Sequence, residues 1–203
     1  MNKAIATTDA TRGEPAPDFE LESDGGGRVS LGDFAGKWLI VYFYPKDSTP
    51  GCTREAQAFT AAIPGLKKLG AAVVGISKDS VKSHCSFRDK FELRFPLLSD
   101  PDLAVHKAYG AWGMKTMYGK KMEGTIRSTF LVAPDGTIAR EWKSVKVDGH
   151  ADAVEAALRE AQSGARAQGK PPAAKAKPAA KAKSPAAKAK SPAAKAKQTP
   201  ARS

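Results

Sequence analysis

Short apolar runs separated by turn residues predict the strands of this chain. The segments KWLIVYFY (37–44) and AAVVGIS (71–77) are apolar on both faces and rich in β-branched and aromatic residues, as expected of buried central strands. FELESDGGGRVSL (19–31) predicts two short strands around a glycine-rich turn, because glycine accepts a positive φ. RSTFLVAPDGTIAREWK (127–143) predicts a hairpin with its turn at PDGT (134–137).

Segments with a helical spacing of apolar residues alternate with these strands. The predicted helices are 52–62, ending before Pro64; 79–91, with Asp79 or Ser80 as N-cap; 101–109, with Pro101 in the first turn; and 148–162, with Ala153, Val154, Ala157, Leu158 and Ala161 on one face. The segment WGMKTMYGKKMEG (112–124) is basic and aromatic, and we interpret it as a surface loop that lines the substrate side. This alternation of strands and helices is typical of an α/β fold.

The C-terminal part of the chain differs in composition from the rest. Residues 165–203 contain nine lysines, two arginines and no acidic residue, so they hold +11 of the chain's net charge of +12, and they repeat the hexamer PAAKAK four times. Without aromatic or large aliphatic residues, this segment cannot offset its ordering entropy by burial. We therefore predict a flexible N-terminus at 1–12, one folded domain at 13–164 and a disordered basic tail at 165–203.

The composition of the remaining residues favours a soluble, cytoplasmic protein. A body of about 150 residues buries about two thirds of its unfolded surface, which is enough for a core. The N-terminal residues lack the apolar segment of a secretory signal, and no run approaches the roughly 18 apolar residues of a membrane span. Two cysteines are too few for a disulfide scaffold. In a reducing compartment an unpaired cysteine is more often catalytic, redox-sensing or simply buried.

Cys52 stands where the apolar run 37–44 gives way to a predicted helix, in the segment YFYPKDSTPGCTREAQAF (42–59). Unpaired N–H groups of a first helical turn and the positive end of the helix dipole favour an anion there, and a thiolate is such an anion. The alternative is a small buried hydrophobe, which is a common fate of a free cysteine. The sequence neighbours of Cys52, PG before it and TRE after it, are not typical of a core. This setting favours a reactive thiol.

Pro45, Thr49 and Cys52 form the pattern P-x-x-x-T-x-x-C, and four further segments follow it in order: SKDSVKSHCSFRDKF, FPLLSDPD, YGAWGMKTMYGK and IRSTFLVAPDGTI. Together they resemble the peroxiredoxins, and most closely the branch of the bacterioferritin comigratory proteins, or PrxQ. The resemblance covers about residues 14–158. Five blocks in register are a specific signal, whereas one short motif is not.

The resemblance implies a thioredoxin-like fold of the peroxiredoxin type, with a central mixed sheet flanked by helices. It also implies a thiol-specific peroxidase that reduces hydrogen peroxide and organic hydroperoxides to water and alcohols and protects against oxidative stress. Cys52 is then the peroxidatic nucleophile that becomes a sulfenic acid, and thioredoxin or another thiol re-reduces it. The resemblance favours a monomer that needs no cofactor.

Further site residues take their expected roles from the same resemblance. Thr49 is the expected hydroxyl donor to the peroxide, Arg127 is the expected guanidinium beside sulfur and peroxide, and Pro45 shapes the loop and shields the sulfur. The backbone N–H groups of Gly51 and Cys52 are further expected donors, because negative charge builds on the oxygens as the O–O bond breaks. Considered without the family, Thr49 is an ordinary helix N-cap and Arg127 an exposed charge at a strand start.

The chain departs from its relatives at the cysteine that restores Cys52. Many members of the branch carry a resolving cysteine five residues after the peroxidatic one, where this chain has Gln57. Others carry one in the helix predicted at 79–91, about one turn after Cys85 and near Arg88. Cys85 is the internal candidate, although a disulfide needs the two Cα atoms about 4.4–6.8 Å apart and hence an unwound first helical turn. The alternatives are a half-buried structural Cys85 and direct attack of an external thiol on the sulfenic acid.

Other functions find less support in the residues. His84, His106 and His150 have no standard metal spacing, so we predict no metal site. Thioredoxin-type disulfide reduction needs C-x-x-C, and Glu55 stands three residues after Cys52. The basic tail resembles those of linker histones and predicts non-specific contact with DNA or RNA through phosphates, with a solubilising extension as the alternative. The second functional hypothesis is a nucleic-acid-associated protein with the thioredoxin-like domain as a redox sensor.

Overall fold

The computed structural model of the protein describes residues 11–117 and 120–167. Its strands are β1 (Glu20–Ser23), β2 (Arg28–Ser30), β3 (Trp38–Phe43), β4 (Ala71–Ser77), β5 (Leu97–Ser99), β6 (Trp112–Met117), β7 (Lys120–Thr125), β8 (Ser128–Val132) and β9 (Ile138–Lys143). Its α-helices are α1 (Pro50–Lys68), α2 (Val81–Phe91), α3 (Ala104–Ala108) and α4 (His150–Ala167), and a 3-10 helix covers Leu31–Phe34. Both predicted central strands are present, as β3 and β4.

Seven of these strands form one mixed sheet in the order β2-β1-β5-β4-β3-β8-β9. Strands β3, β4 and β5 run parallel to one another, whereas β8 runs antiparallel to β3 and β1 runs antiparallel to β5. Strand β3 has a neighbour on each side along nearly its whole length, as its continuous apolar sequence predicts. The mixed sheet with helices against it confirms the predicted fold class.

Side chains alternate along β3 between two apolar layers, one on each face of the sheet. Ile40 and Tyr42 belong to the layer that α1, α2 and α4 cover. Val41 and Phe43 belong to the layer that α3 and the segment before β1 cover. Full burial of one such side chain contributes about 1.5–3 kcal/mol, so the two layers hold the end of β3 firmly in place.

Glycines with positive φ form the two predicted hairpin turns. Between β1 and β2, Gly26 and Gly27 have φ values of 83° and 75°, and between β8 and β9, Gly136 has a φ of 84°. Residues with a Cβ atom rarely adopt this conformation, so the glycines are required there. Both predicted hairpins are confirmed.

Helix α1 continues through Pro64, so the predicted end before this residue is wrong. Proline removes one backbone hydrogen bond and crowds the preceding turn, which is why it normally ends a helix. Here apolar side chains on both sides of it are buried in the layer against the sheet, with Phe59 and Ile63 before it and Leu66 after it. Tertiary packing of these side chains outweighs the local signal.

Helix α3 is shorter than the predicted 101–109. Leu103 has a φ of 60°, and Pro101 lies in a turn between β5 and the helix rather than in its first turn. The carboxylate of Asp100 accepts a hydrogen bond from the backbone N–H of His106 at 2.8 Å. This bond supports the turn and moves the helix start towards the C-terminus.

The segment interpreted as a surface loop is instead a two-stranded antiparallel sheet, β6 with β7. At its base Trp112 pairs with Thr125, and the N–H of Ile126 donates to the carbonyl of Ala111 at 2.8 Å. Backbone pairing holds these strands together, and a pattern of apolar residues does not reveal it. The hairpin leads directly into Arg127, and its place beside the substrate stays a prediction.

The other two helices agree with most of the sequence pattern. Ser80 is the N-cap of α2, and its side chain accepts the expected backbone hydrogen bond. Helix α4 buries Val154, Ala157 and Leu158 as predicted, whereas Ala153 is exposed. The helix runs five residues beyond the predicted end at position 162.

Because α4 extends to Ala167, the first three residues of the predicted tail at 165–203 are helical. The rest of that tail, like residues 1–10, lies outside the described residues. The proposed domain boundaries therefore stay predictions. Within residues 11–117 and 120–167, no helix is both long and apolar enough to cross a membrane.

Candidate active site

Cys52 is the third residue of helix α1, which begins after the loop that follows β3. Thr49 is the N-cap residue in extended conformation, and Pro50 occupies the first helical position, where its missing N–H has no consequence. The thiol therefore lies in the first turn of the helix, as predicted, where backbone N–H groups have no helical partner.

Cys52 is also buried, with an exposed fraction of 1%. It belongs to the apolar layer beneath α1 that contains Tyr42 and Ala56. The expectation that its sequence neighbours lie outside the core is wrong for Glu55, which is likewise only 1% exposed. The sequence left open whether Cys52 is a thiol at a helix start or a small buried hydrophobe. In the structure it is both.

Arg127 directly precedes strand β8, which pairs with β3, and its side chain contacts Cys52. Phe43 pairs with Ser128, so the residue before Ser128 lies at the same edge of the sheet as the loop that follows β3. The Nη2 of Arg127 donates to the sulfur of Cys52 at 3.2 Å. The same nitrogen lies 3.5 Å from where a Cβ on Gly51 would stand. The structure therefore brings together the predicted guanidinium, sulfur and helix start.

Glu55 forms a buried ion pair with Arg127, whose Nη1 donates to Oε2 of the carboxylate. Burial raises the pKa of Glu55 to about 7, although Arg127 acts in the opposite direction. Burial alone would lower the pKa of Arg127, but the Glu55 carboxylate and the Cys52 sulfur outweigh it, so this pKa is raised and the guanidinium stays charged. Arg127 is thus shared between the sulfur and a carboxyl group.

Sequence reasoning did not identify Glu55 as a site residue. A signal was available, because a residue three positions after Cys52 lies on the same face of an α-helix. Its second oxygen, Oε1, is buried without a hydrogen-bond partner among the described residues. An acidic side chain on the buried face of a helix needs a partner, and Arg127 supplies it.

Thr49 and Pro45 lie in the loop between β3 and α1. The hydroxyl of Thr49 donates to the carbonyl of Lys46 at 3.0 Å and makes no capping bond to the helix. A hydroxyl has one hydrogen, so donation to a peroxide requires this bond to break, whereas its oxygen can accept a hydrogen bond without any change. Pro45 is half-buried in the same loop.

The buried carboxylate of Asp47 ties the same loop to helix α2. It accepts hydrogen bonds from the hydroxyls of Tyr44 at 2.8 Å and Ser83 at 2.7 Å. Nδ1 of His84 lies 2.9 Å from it. Burial alone would raise the pKa of Asp47, but the hydrogen bonds from these three side chains hold it below its ordinary value. Sequence reasoning missed this cluster, because its members come from segments far apart in the chain.

Cys85, the candidate resolving residue, is half-buried in helix α2. Its thiol donates to the carbonyl of Asp24 at 3.4 Å, and both cysteines are free thiols. Arg88, near the position where some relatives carry a cysteine, forms an ion pair at 3.2 Å with the buried carboxylate of Asp24. The structure therefore does not bond Cys85 to Cys52, and the helices that carry them are both intact.

The remaining histidines have structural partners. His150 lies 2.8 Å from the hydroxyl of Thr129, and burial, with Arg127 as a further cause, lowers its pKa to about 4. His106 pairs with Asp100 on the other side of the sheet. In the part of the chain that the structure describes, no group of three His, Cys, Asp or Glu residues could hold a metal ion.

A mixed sheet covered by helices, with a buried thiol in the first turn of the helix that follows a central strand, is the thioredoxin-like arrangement of the peroxiredoxins. The sequence model of the AhpC/TSA family matches residues 12–141. The chain belongs to this family.

Curated relatives of the chain are named peroxiredoxins. The peroxiredoxin Bcp of Xanthomonas campestris pv. campestris is 50% identical over 154 residues, which are 75% of this chain and 96% of that protein. The peroxiredoxin Bcp of Escherichia coli K12 is 41% identical over 148 residues, which are 73% and 95% of the two chains. A solved structure of the Xanthomonas campestris bacterioferritin comigratory protein has a TM-score of 0.69 at 48% identity and covers 75% of this chain and 98% of that one. The predicted family, fold and peroxiredoxin class of enzyme are confirmed.

Proposed function

We propose that the protein reduces hydrogen peroxide and organic hydroperoxides with Cys52 as the nucleophile. The observation that carries this proposal is the buried Cys52 sulfur at the start of α1, with Nη2 of Arg127 at 3.2 Å. The related Xanthomonas campestris protein is described by its alkyl peroxide reduction activity, which supports the inclusion of organic substrates.

The chemistry is a displacement at oxygen. The thiolate of Cys52 attacks one peroxide oxygen, an S–O bond forms and the O–O bond breaks. The sulfur is oxidised to a sulfenic acid, and the peroxide is reduced as its leaving oxygen takes a proton and departs as water or an alcohol. Arg127 stabilises the thiolate first and the oxygens as they gain charge. Thr49 and the backbone N–H groups of Gly51 and Cys52 bind the peroxide oxygens, and Pro45 shields the sulfur.

Two routes restore Cys52 in this proposal. Cys85 attacks the sulfenic acid to give an internal disulfide and water, which requires α1 and α2 to unwind locally, and thioredoxin then reduces that disulfide. Alternatively, thioredoxin or another external thiol attacks the sulfenic acid directly. Mapping disulfides by mass spectrometry after one equivalent of peroxide separates the routes, because only the first yields a peptide that joins Cys52 to Cys85.

The test of the nucleophile compares two matched variants, Cys52→Ser and Cys85→Ser. We expect Cys52→Ser to abolish peroxide consumption with a thiol reductant, and Cys85→Ser to retain formation of the sulfenic acid in a single turnover. The sulfenic acid is trapped with a carbon nucleophile and located by mass spectrometry. Peroxide turnover that survives in Cys52→Ser overturns the proposal.

We further infer that the basic segment after helix α4 adds non-specific contact with DNA or RNA to a cytoplasmic, monomeric peroxidase that protects against oxidative stress. The nine lysines and one arginine in residues 168–203, with no acidic residue among them, support this role. The structure describes α4 as far as Ala167, so the variant for the test ends there. We expect truncation to abolish retention on DNA at low salt and to leave peroxide turnover unchanged. Retention by the truncated protein contradicts the inference.

A further inference from the structure

Two buried His–Asp pairs differ in what faces the second ring nitrogen. In the first pair, Nδ1 of His84 lies 2.9 Å from Oδ2 of Asp47. In the second, Nδ1 of His106 lies 2.6 Å from Oδ2 of Asp100. Nε2 of His84 also lies 3.2 Å from the carbonyl oxygen of Leu98, whereas Nε2 of His106 has no partner among the described residues. Both rings are fully buried.

Hydrogen bonds to two acceptors require two protons on the ring of His84. A carbonyl oxygen only accepts, so Nε2 has to donate to Leu98. The Asp47 carboxylate already accepts from the hydroxyls of Tyr44 and Ser83, and a carboxylate has no proton to donate, so Nδ1 has to donate to it as well. A neutral ring could make only one of these bonds and would leave a buried polar atom unpaired, which is unfavourable.

We propose that His84 is a doubly protonated imidazolium in the reduced protein and that it is a positioning residue for Cys52, acting through Asp47. Asp47 stands between Pro45 and Thr49, in the loop that leads to the thiol. The imidazolium holds the Asp47 carboxylate and thereby fixes this loop against helix α2. The inference rests on the proposed role of Cys52 for its catalytic consequence, but the protonation of His84 is measurable without it.

The groups around the ring are consistent with one positive charge. From the loop, Asp47 faces it directly, and the hydroxyl oxygen of Tyr44 lies 3.4 Å from Nδ1. Burial raises the pKa of Tyr44 well above its ordinary value, so this hydroxyl stays neutral. The carboxylate of Asp79 accepts from the backbone N–H of Asp47 and from the hydroxyl of Ser77, and strand β5 presents only a carbonyl. The imidazolium of His84 and the Asp47 carboxylate therefore compensate each other.

This arrangement links the ring to the regeneration of Cys52. Cys85 directly follows His84 in α2, so unwinding of this helix to form an internal disulfide pulls the ring away from both of its acceptors. The reduced, folded site is therefore favoured while the ring is charged.

The first experiment measures the protonation of the histidine rings in the full-length reduced protein by nitrogen NMR at neutral pH. We expect both ring nitrogens of His84 to carry a proton, and His150, whose pKa burial lowers to about 4, to carry only one. Replacement of each histidine in turn assigns the signals. A neutral ring at His84 overturns the proposal, whatever the role of Cys52.

The second experiment uses two variants that each keep one of the two donors. Asparagine has its amide nitrogen two bonds from Cβ, as Nδ1 is, so His84→Asn keeps a donor for Asp47. Glutamine has its nitrogen three bonds from Cβ, as Nε2 is, so His84→Gln keeps the donor for Leu98 and loses the one for Asp47. We expect the rate of Cys52 oxidation to fall about tenfold to a hundredfold in His84→Gln and to stay within about threefold of wild type in His84→Asn.

A control variant separates the positioning role from a purely structural one. His106→Asn is the matched control, and we expect it to lower thermal stability without slowing Cys52 oxidation. Equal rates in His84→Gln and His84→Asn overturn the positioning role. If His84→Gln does not fold, Asp47→Asn replaces it, and a rate of Cys52 oxidation within about threefold of wild type in that variant likewise overturns the positioning role.

Discussion

The ionisation of Glu55 leads to a prediction about the pH dependence of stability. Burial raises the pKa of this carboxyl from 4.5 to about 7 in the folded protein. Between these values the folded state keeps a proton that the unfolded state has released, so stability falls as pH rises across the window. One unit of pKa corresponds to 1.36 kcal/mol, so the full loss is about 3 kcal/mol by pH 8.

The perturbation is Glu55→Gln, which keeps the size of the side chain and removes its titration. We expect the unfolding free energy of wild type to decrease by about 3 kcal/mol relative to the variant between pH 5 and pH 8. The assay is urea unfolding of the reduced proteins at several pH values, followed by tryptophan fluorescence. The comparison between the two proteins removes the contributions of all other titrating groups.

Glu160→Gln is the matched control, since Glu160 forms a surface ion pair with Arg140 and its side chain is 74% exposed. A pair of this kind contributes little to stability, so we expect the control to follow wild type at every pH. Wild-type and Glu55→Gln curves that stay parallel between pH 5 and pH 8 refute the reasoning, because they mean that Glu55 is ionised at the same pH in both states.

Three further substitutions test other parts of the structure. Arg127→Lys is expected to slow Cys52 oxidation by about a hundredfold in stopped-flow measurements, since a single ammonium lacks the planar fork with which Nη1 and Nη2 reach Glu55 and the sulfur; an unchanged rate contradicts the proposed role. Gly75→Ala is expected to destabilise the protein by about 1–3 kcal/mol in urea, because its Cβ would lie 2.8 Å from the ring of Tyr42; equal stability contradicts the packing. Pro64→Ala is expected to raise the melting temperature, because it restores a hydrogen bond inside α1; a lower value means that the ring itself packs usefully.

Local features of the sequence predicted the elements that depend on neighbouring residues. The two continuous apolar runs are the central strands β3 and β4, and the glycine turns are where the need for positive φ placed them. The position of Cys52 in a first helical turn also follows from local sequence. The apolar run 37–44, the polar loop after it and Pro50 at the first helical position all lie within fifteen residues of Cys52. The resemblance of five segments identified the family.

Predictions of secondary structure from local sequence failed where contacts with distant residues determine the structure. Helix α1 passes through Pro64 because apolar residues on both sides of it pack on the sheet. The β6–β7 hairpin forms by backbone pairing that no apolar pattern records. In both cases contacts between residues distant in sequence outweigh the secondary-structure propensity of the individual residues.

The sequence by itself determined that a thiol stands at the start of a helix in an α/β protein of the peroxiredoxin type. Only the tertiary structure decided what surrounds that thiol. Glu55 is buried against Arg127, and Asp47 is held by His84, because the order of strands in the sheet brings together segments that lie up to 72 positions apart. The spacing of apolar residues along the chain predicts helices and strands, whereas the charge of a buried side chain depends on the partners that the fold places beside it.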